Sequence, residues 1–530
     1  MPPTEALDAI ELVLLLLAVA VGIRYLARRV AIAEPILLLA AGVLLGLYPN
    51  LPQVELEPDI VFALFLPPIL FAAAYFTPIR DFRADARAIL LLAVGLVLFT
   101  AVAVGLVAQA VIPTMSLAAA LTLGAIVAPP DAVAATAIFR RLGVPRRIVT
   151  ILEGESLVND ATSLTLYRAA AAVATAAVAI GTITFSPAAT LVDFLVIGAG
   201  GVLVGVLIGL VMTALLRRTG DPVLEIAVTL IAPPTTYLFA ERFGVSGVLA
   251  VVIAGLITGR RAARVLSPDA RLLGSGAWQI LIWAINAVVF MAIGLQLPTI
   301  LAGLSATPAS VLIGYGVAIS ATVILARIVW ALPSPYLTPG RMTAEEKAAY
   351  PTLRVAAVVS WAGMRGVVSL AAALALAPDF PERPLILYLT FCVIVATLVG
   401  QGLTLPWVIR KLRMTATGDG TDGEETHARL AAVDAGLARV KELREDYPDH
   451  LPLLDQIMDE LEHEVSHVAP RDIPIDEAQR EALDHRAIRA AVRDAEREAV
   501  IQLRDDGVIN DETLRRIELE LDLEAVRSGD

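Results

Sequence analysis

Between Ile151 and Tyr167 the chain reads ILEGESLVNDATSLTLY, where Glu153, Glu155, Ser156, Asn159, Asp160, Thr162 and Ser163 interrupt an otherwise apolar stretch. Ser156, Asp160 and Ser163 fall at i, i+4 and i+7, so on a helix their oxygens share one face, with Asn159 one step round. One carboxylate among neutral oxygens is a small, hard ligand set, suited to a monovalent cation or a proton rather than to a soft metal. Ionisable groups inside an apolar span are costly, and their first reading is an ion or proton path.

The elements that must hold these residues are membrane helices. The chain has 530 residues, 57% hydrophobic and 18% charged, with a mean hydropathy of +0.74, which excludes an ordinary water-soluble domain. Hydrophobic runs fall near 10–27, 34–48, 59–77, 88–112, 116–138, 149–177, 190–216, 222–241, 245–259, 277–297, 307–333, 354–378 and 385–409. The fold class expected is therefore an all-α polytopic membrane protein with about 13 transmembrane helices and a cytosolic helical tail. The transmembrane part runs over 1–412, and the acidic tail over 413–530 carries 31 Asp and Glu against 15 Lys and Arg. Alternate loops carry nearly all the cations, among them Arg24, Arg28 and Arg29, then Arg140, Arg141, Arg146 and Arg147, then Arg341, Lys347 and Arg354. This bias puts the N-terminus outside and the tail in the cytoplasm.

Two runs are interrupted alike. Ala128 to Asp131 reads A-P-P-D, and consecutive prolines break the hydrogen-bond ladder. Trp361 to Gly366 reads W-A-G-M-R-G, where two glycines flank an arginine. Pairing a repeat over about 10–177 with one over about 222–411, joined by a linker helix 190–216, makes each interruption the fifth span of its repeat. An offset of seven spans inverts the second repeat, and two broken crossing helices in an inverted repeat are the best sequence pointer to a transport site at the midplane. By counting from the loops, Asp160 and Arg365 each lie about 17 Å into a membrane core ~30 Å thick.

These residues resemble the monovalent cation:proton antiporters of the bacterial sodium/proton exchanger type almost end to end. G-E-S-L-V-N-D at Gly154 to Asp160 looks like the family's Asn-Asp signature, P-D-A at Pro130 to Ala132 like its broken-helix motif, and G-M-R-G at Gly363 to Gly366 like its arginine motif. FLPPILFAAAYF, FMAIGLQLP and the tail stretch LRDDGVINDETLRRIELELDLE add weaker support. The resemblance implies that Asp160 binds the transported Na+ (or K+ or Li+) or the proton, with Ser156, Asn159, Asp131 and the Pro130 carbonyl completing the ion-binding site. It implies Na+ held at Asp160 and Ser156, and a structural ion pair between Glu155 and Arg365. Asparagine before the key aspartate implies electroneutral exchange. The resemblance further implies a homodimer in contact with membrane lipids in the bacterial inner (plasma) membrane, with neither cofactor nor nucleic acid. Ala72 stands where many relatives place an acid, which bears on Na+ against K+.

Other readings remain beside this one. A cation channel would conduct without counter-transport, which the paired interruptions disfavour. An aspartyl-protease dyad of Asp131 and Asp160 lacks glycine-flanked aspartates, so no enzyme is expected. Arg327 and Glu225 are expected to stabilise helix ends or packing. All five histidines lie in the tail, and the H-E-x-x-H match at His463 to His467 lacks an evident third zinc ligand.

Overall fold

The computed structural model describes residues 3–30, 32–48, 61–180, 187–305, 307–333, 352–414 and 420–468, with scattered residues between 492 and 517. Most of the LRDDGVINDETLRRIELELDLE stretch, and the loop cations Arg341 and Lys347, lie outside the described residues. The described chain is helical, without strands, and forms two compact units, Met1–Ala416 and Thr417–Asp530.

The first unit runs through α1 (Pro3–Arg29), α2 (Glu34–Gly46), α3 (Leu66–Phe76), α4 (Ala86–Val111), α5 (Leu117–Val127), α6 (Ala132–Leu142), α7 (Arg146–Ile180) and α8 (Pro187–Thr219). It continues through α9 (Pro222–Arg242), α10 (Gly247–Val265), α11 (Pro268–Leu295), α12 (Ala309–Ala331), α13 (Thr352–Trp361), α14 (Val367–Leu374) and α15 (Arg383–Lys411). Among the described residues, seven stretches are long and apolar enough to cross a membrane by length and composition. Lipid-facing apolar side chains such as Leu203, Ile280 and Leu44 remain exposed. In a bilayer, only a helix or a closed barrel satisfies its own backbone there.

Small residues let the helices approach closely. Gly42 of α2 lies directly against the Met291 backbone of α11, while Gly294 of α11 lies against the backbone of α2 from Leu39 to Val43. A side chain at either position would collide with main chain, which is the small-residue packing expected where lipid supplies no hydrophobic drive between helices.

Two crossings are interrupted. Ser116 caps α5, its Oγ accepting from the Ala119 N–H at 3.2 Å, and α5 stops where Pro129 and Pro130 remove consecutive donors. The chain restarts at Asp131, whose Oδ1 accepts from the Val133 N–H at 2.8 Å and so caps α6. In the second crossing, α13 ends at Trp361 and α14 begins after Gly366, leaving Ala362 to Gly366 outside any helix. The interruptions meet: the Asp131 N–H donates to the Met364 carbonyl at 2.7 Å.

In the second unit, α16 (Gly420–Asp446) and α17 (Leu451–Val468) pack together, burying Val433, Val440 and Leu454. Arg444 pairs with Asp455 at 2.7 Å across the turn. The H-E-x-x-H stretch falls in α17, and its side chains lie outside the described residues.

Candidate functional site

Three elements converge on the junction: the end of α5, the start of α6 and the middle of α7. The α7 helix continues through the polar stretch without a break, so the spacing read from sequence holds, and Asn159 and Asp160 sit on adjacent positions. Both are buried, Asn159 completely and Asp160 to 6% exposure. The Asn159 Nδ2 donates to the Pro130 carbonyl at 3.0 Å. The Pro130 carbonyl lies in the break, outside any helix, and this bond satisfies it. It ties α7 to the first interruption. Asn159 Oδ1 has no hydrogen-bond partner among the described residues.

The two aspartates differ in their surroundings. The Asp131 carboxylate is occupied by its capping bond to Val133. Its Oδ2 also lies against Gly366, at the start of α14, so that it sits near the positive ends of two helices. Asp160 follows Asn159 on α7, and among the described residues no hydrogen bond reaches its carboxylate. The Ser163 Oγ donates to the Asp160 main-chain carbonyl at 3.1 Å and leaves the side chain alone. Ser156 is partly buried on the same α7 face.

Glu155 and Arg365 were expected to pair, and the structure replaces that pair with another. Glu155 accepts from Arg327 Nη1 and Nη2, at 2.6 and 2.9 Å, with the two side chains 1% and 0% exposed. Glu155 lies five residues before Asp160, about 140° round the helix, which turns it toward α12 and α13. Arg327 also donates from Nε to the Val359 carbonyl at 3.1 Å, near the end of α13.

Arg365 has a parallel task at the other interruption. Its Nε donates to the Val127 carbonyl and its Nη2 to the Ala128 carbonyl, both at 3.1 Å, while its Nη1 donates to the Gly363 carbonyl. Its backbone N–H donates to Thr397 Oγ1 at 3.0 Å. Each buried arginine therefore covers the negative end of a half-helix, Arg365 that of α5 and Arg327 that of α13. Gly363 separates them, since a Cβ there would strike Arg327 and lie 2.9 Å from Arg365 Nη1. The sequence gives Arg327 a role at helix ends or in packing without naming its partner; its signal is being the sole charge in Ala309–Ala331. Thr397 carried no such signal.

Gly366 gives a test of how tightly the interruptions fit. An alanine methyl would run into the Asp131 carboxylate, so Gly366→Ala should lower stability by about 1–3 kcal/mol, the usual cost of overpacking. Gly22→Ala is the control, because a Cβ there meets nothing within 4 Å, and it should melt no lower than the wild type. Thermal melts of the two purified variants make the comparison, and equal melting would show that the junction has room to spare.

The chain is similar to known proteins in sequence and in fold. A family model described as "Sodium/hydrogen exchanger, transmembrane" matches residues 14–411. An uncharacterised Na+/H+ exchanger of Mycobacterium tuberculosis is 35% identical over 98% of this chain and 96% of its own length. A sodium, potassium, lithium and rubidium/H+ antiporter of Bacillus subtilis is 34% identical over 75% of this chain and 61% of its own length. Among solved structures, a sodium proton antiporter of Methanocaldococcus jannaschii superposes with a TM-score of 0.61 at 18% identity, covering 77% of this chain and 99% of its own. That last likeness speaks for the fold alone.

Proposed function

The chain belongs to the sodium/hydrogen exchanger family, and on that premise we propose that it exchanges Na+ for H+ one for one, with Asp160 as the carboxylate that carries either ion. It is a multi-pass membrane protein of the cation/proton antiport class rather than an enzyme. The observation that carries the reading is the bond from Asn159 to the Pro130 carbonyl. It sets the neighbouring Asp160 beside a broken helix whose Pro130 carbonyl, with one lone pair taken by Asn159, keeps a second for an ion.

One acid is enough for exchange. Moving a bare carboxylate from water into a dry protein interior costs on the order of 20 kcal/mol in the idealised case, so the empty, ionised site does not traverse the barrier. A bound cation or a bound proton removes that charge. Each ion therefore travels in place of the other, and the site returns only when loaded. Asp131 is already committed as a helix cap, which leaves Asp160 as the exchangeable group and favours an electroneutral cycle. Ser156, on the same face as Asp160, and the Asn159 and Pro130 oxygens are the neutral ligands we assign to the cation.

We take the working unit to be a homodimer in a bacterial plasma membrane, with the N-terminus outside and the C-terminus cytoplasmic. Loop arginines support this orientation. The division into two inverted repeats, about 10–177 and 222–411, belongs to the same proposal. A K+/H+ reading has two supports: Ala72 lines α3 where an acid would add a hard ligand, and the Bacillus subtilis relative is named for four alkali cations. Exchange in proteoliposomes, read with a pH-sensitive dye on addition of Na+, K+ or Li+, decides between them. Sodium is expected to give the largest proton flux; a larger response to K+ would transfer the assignment to potassium. Current without proton counter-flow would make the protein a channel.

A further inference from the structure

Away from the aspartates, four helix ends meet at the arginine-rich face of the first unit. The last turns of α1, α6 and α15 and the first turn of α2 surround a cavity of about 430 Å³. Arg24 and Arg28 enter it from one face of α1, a helical turn apart, Arg141 from the last turn of α6, and Arg410 from the end of α15. The lone acid in the lining is Glu34. Glu34 is committed: it accepts from the Trp283 Nε1 at 2.6 Å and lies 3.6 Å from Arg24, whose guanidinium also stacks over the Trp283 ring at 5.2 Å. Among the described residues, Arg28, Arg141 and Arg410 have no acidic partner.

Helix-end arginines are ordinary by themselves, because they complement the helix dipole. Here they converge on one concavity, where their like charges repel unless an anion sits between them. Such a cavity is also a poor entrance for Na+. Its remaining walls are apolar, including Ile138, Leu403 and Pro406. Leu403 is 48% exposed, and on neighbouring helical positions Tyr25, Leu26 and Trp407 are also exposed, so the cavity opens toward an apolar surface. Planar guanidiniums bind phosphate oxygens through paired hydrogen bonds, and basic pockets between membrane helices suit anionic headgroups.

We propose that the cavity between α1, α2, α6 and α15 binds a phosphate-bearing anion through Arg28, Arg141 and Arg410. The apolar opening favours a lipid phosphate over a free one. The consequence reaches the site already described, because Arg141 and Asp131 stand at opposite ends of α6, about 15 Å apart at the helical rise. An anion held between Arg28 and Arg141 links α1 to the helix that Asp131 caps. The proposal is independent of which cation is carried.

The test is a thermal melt of the purified full-length protein in neutral detergent, with phosphatidylcholine, phosphatidylglycerol or inorganic phosphate added. Phosphatidylglycerol should raise the melting temperature of the wild type, and phosphatidylcholine should not. In Arg28→Gln/Arg141→Gln/Arg410→Gln the apparent affinity for phosphatidylglycerol should fall by at least about tenfold, as three charge-assisted contacts are lost. Arg217→Gln/Arg218→Gln, a basic pair outside the cavity, should respond like the wild type. A comparable rise with inorganic phosphate, lost in the same triple variant, supports the site with a soluble anion as its ligand. No shift in the wild type, or an equal shift in the triple variant, overturns the proposal. Melting without additives reports whether the triple variant is folded; if it is not, Arg410→Gln alone is used, and an undiminished shift in it counts against the site.

Discussion

Asp160→Asn is expected to abolish cation-dependent proton movement while leaving the protein folded. Asparagine nearly matches aspartate in shape, and no hydrogen bond to the Asp160 carboxylate is lost among the described residues, so packing around α7 should persist. What changes is charge. A neutral amide neither releases a proton nor balances a cation, and the loaded and empty states lose the difference that drives obligatory exchange. In proteoliposomes the dye response to Na+ should fall to that of protein-free vesicles, with the melting temperature within a few degrees of wild type. Retained exchange would move the carrier role to Asp131, whose carboxylate is bound to Val133.

The second large effect concerns stability. Arg327→Ala leaves the Glu155 carboxylate buried at 1% exposure without its two donors, and it also uncovers the Val359 carbonyl. Breaking a buried pair from one side costs about 3–5 kcal/mol, enough to unfold a marginal membrane domain at growth temperature. Glu155→Gln should cost less, because the amide oxygen still accepts from Arg327. The double variant Glu155→Leu/Arg327→Met removes both charges together, and replacing buried pairs by apolar residues is often neutral or better. It should recover most of the loss seen in Arg327→Ala. Melting temperatures of Glu155→Leu, Arg327→Met and their double variant complete the cycle, and additive losses would mean that the two residues do not act as a pair.

Asn159, Asp160, Pro130 and Asp131 were legible in the sequence because charges and prolines inside apolar runs carry a signal that helical periodicity converts into depth and facing. The partner of Glu155 was not legible. Arg327 and Arg365 are both isolated arginines in apolar spans, and only packing decides between them: α13 brings Val359 and α7 brings Glu155 to Arg327, while the end of α5 holds Arg365. Proline pairs show the same limit. Ala128 to Pro130 breaks its helix, whereas Ala232 to Pro234, the same three letters, stays inside α9. The difference lies in the residue after the prolines and in the side chains across from them. Asp131 restarts a helix and Arg365 takes the freed carbonyls in the first case, and the second sequence carries on into Thr235 and Thr236 with no such cap. Local sequence proposes a break, and tertiary partners decide whether it opens.

Competition between a cation and a proton for one carboxylate is read most directly by adding NaCl to the purified, weakly buffered protein and measuring released protons. The wild type should release close to one proton per chain and Asp160→Asn none. Undiminished release from Asp160→Asn, or no release from a wild-type protein that exchanges Na+ in vesicles, would contradict that competition.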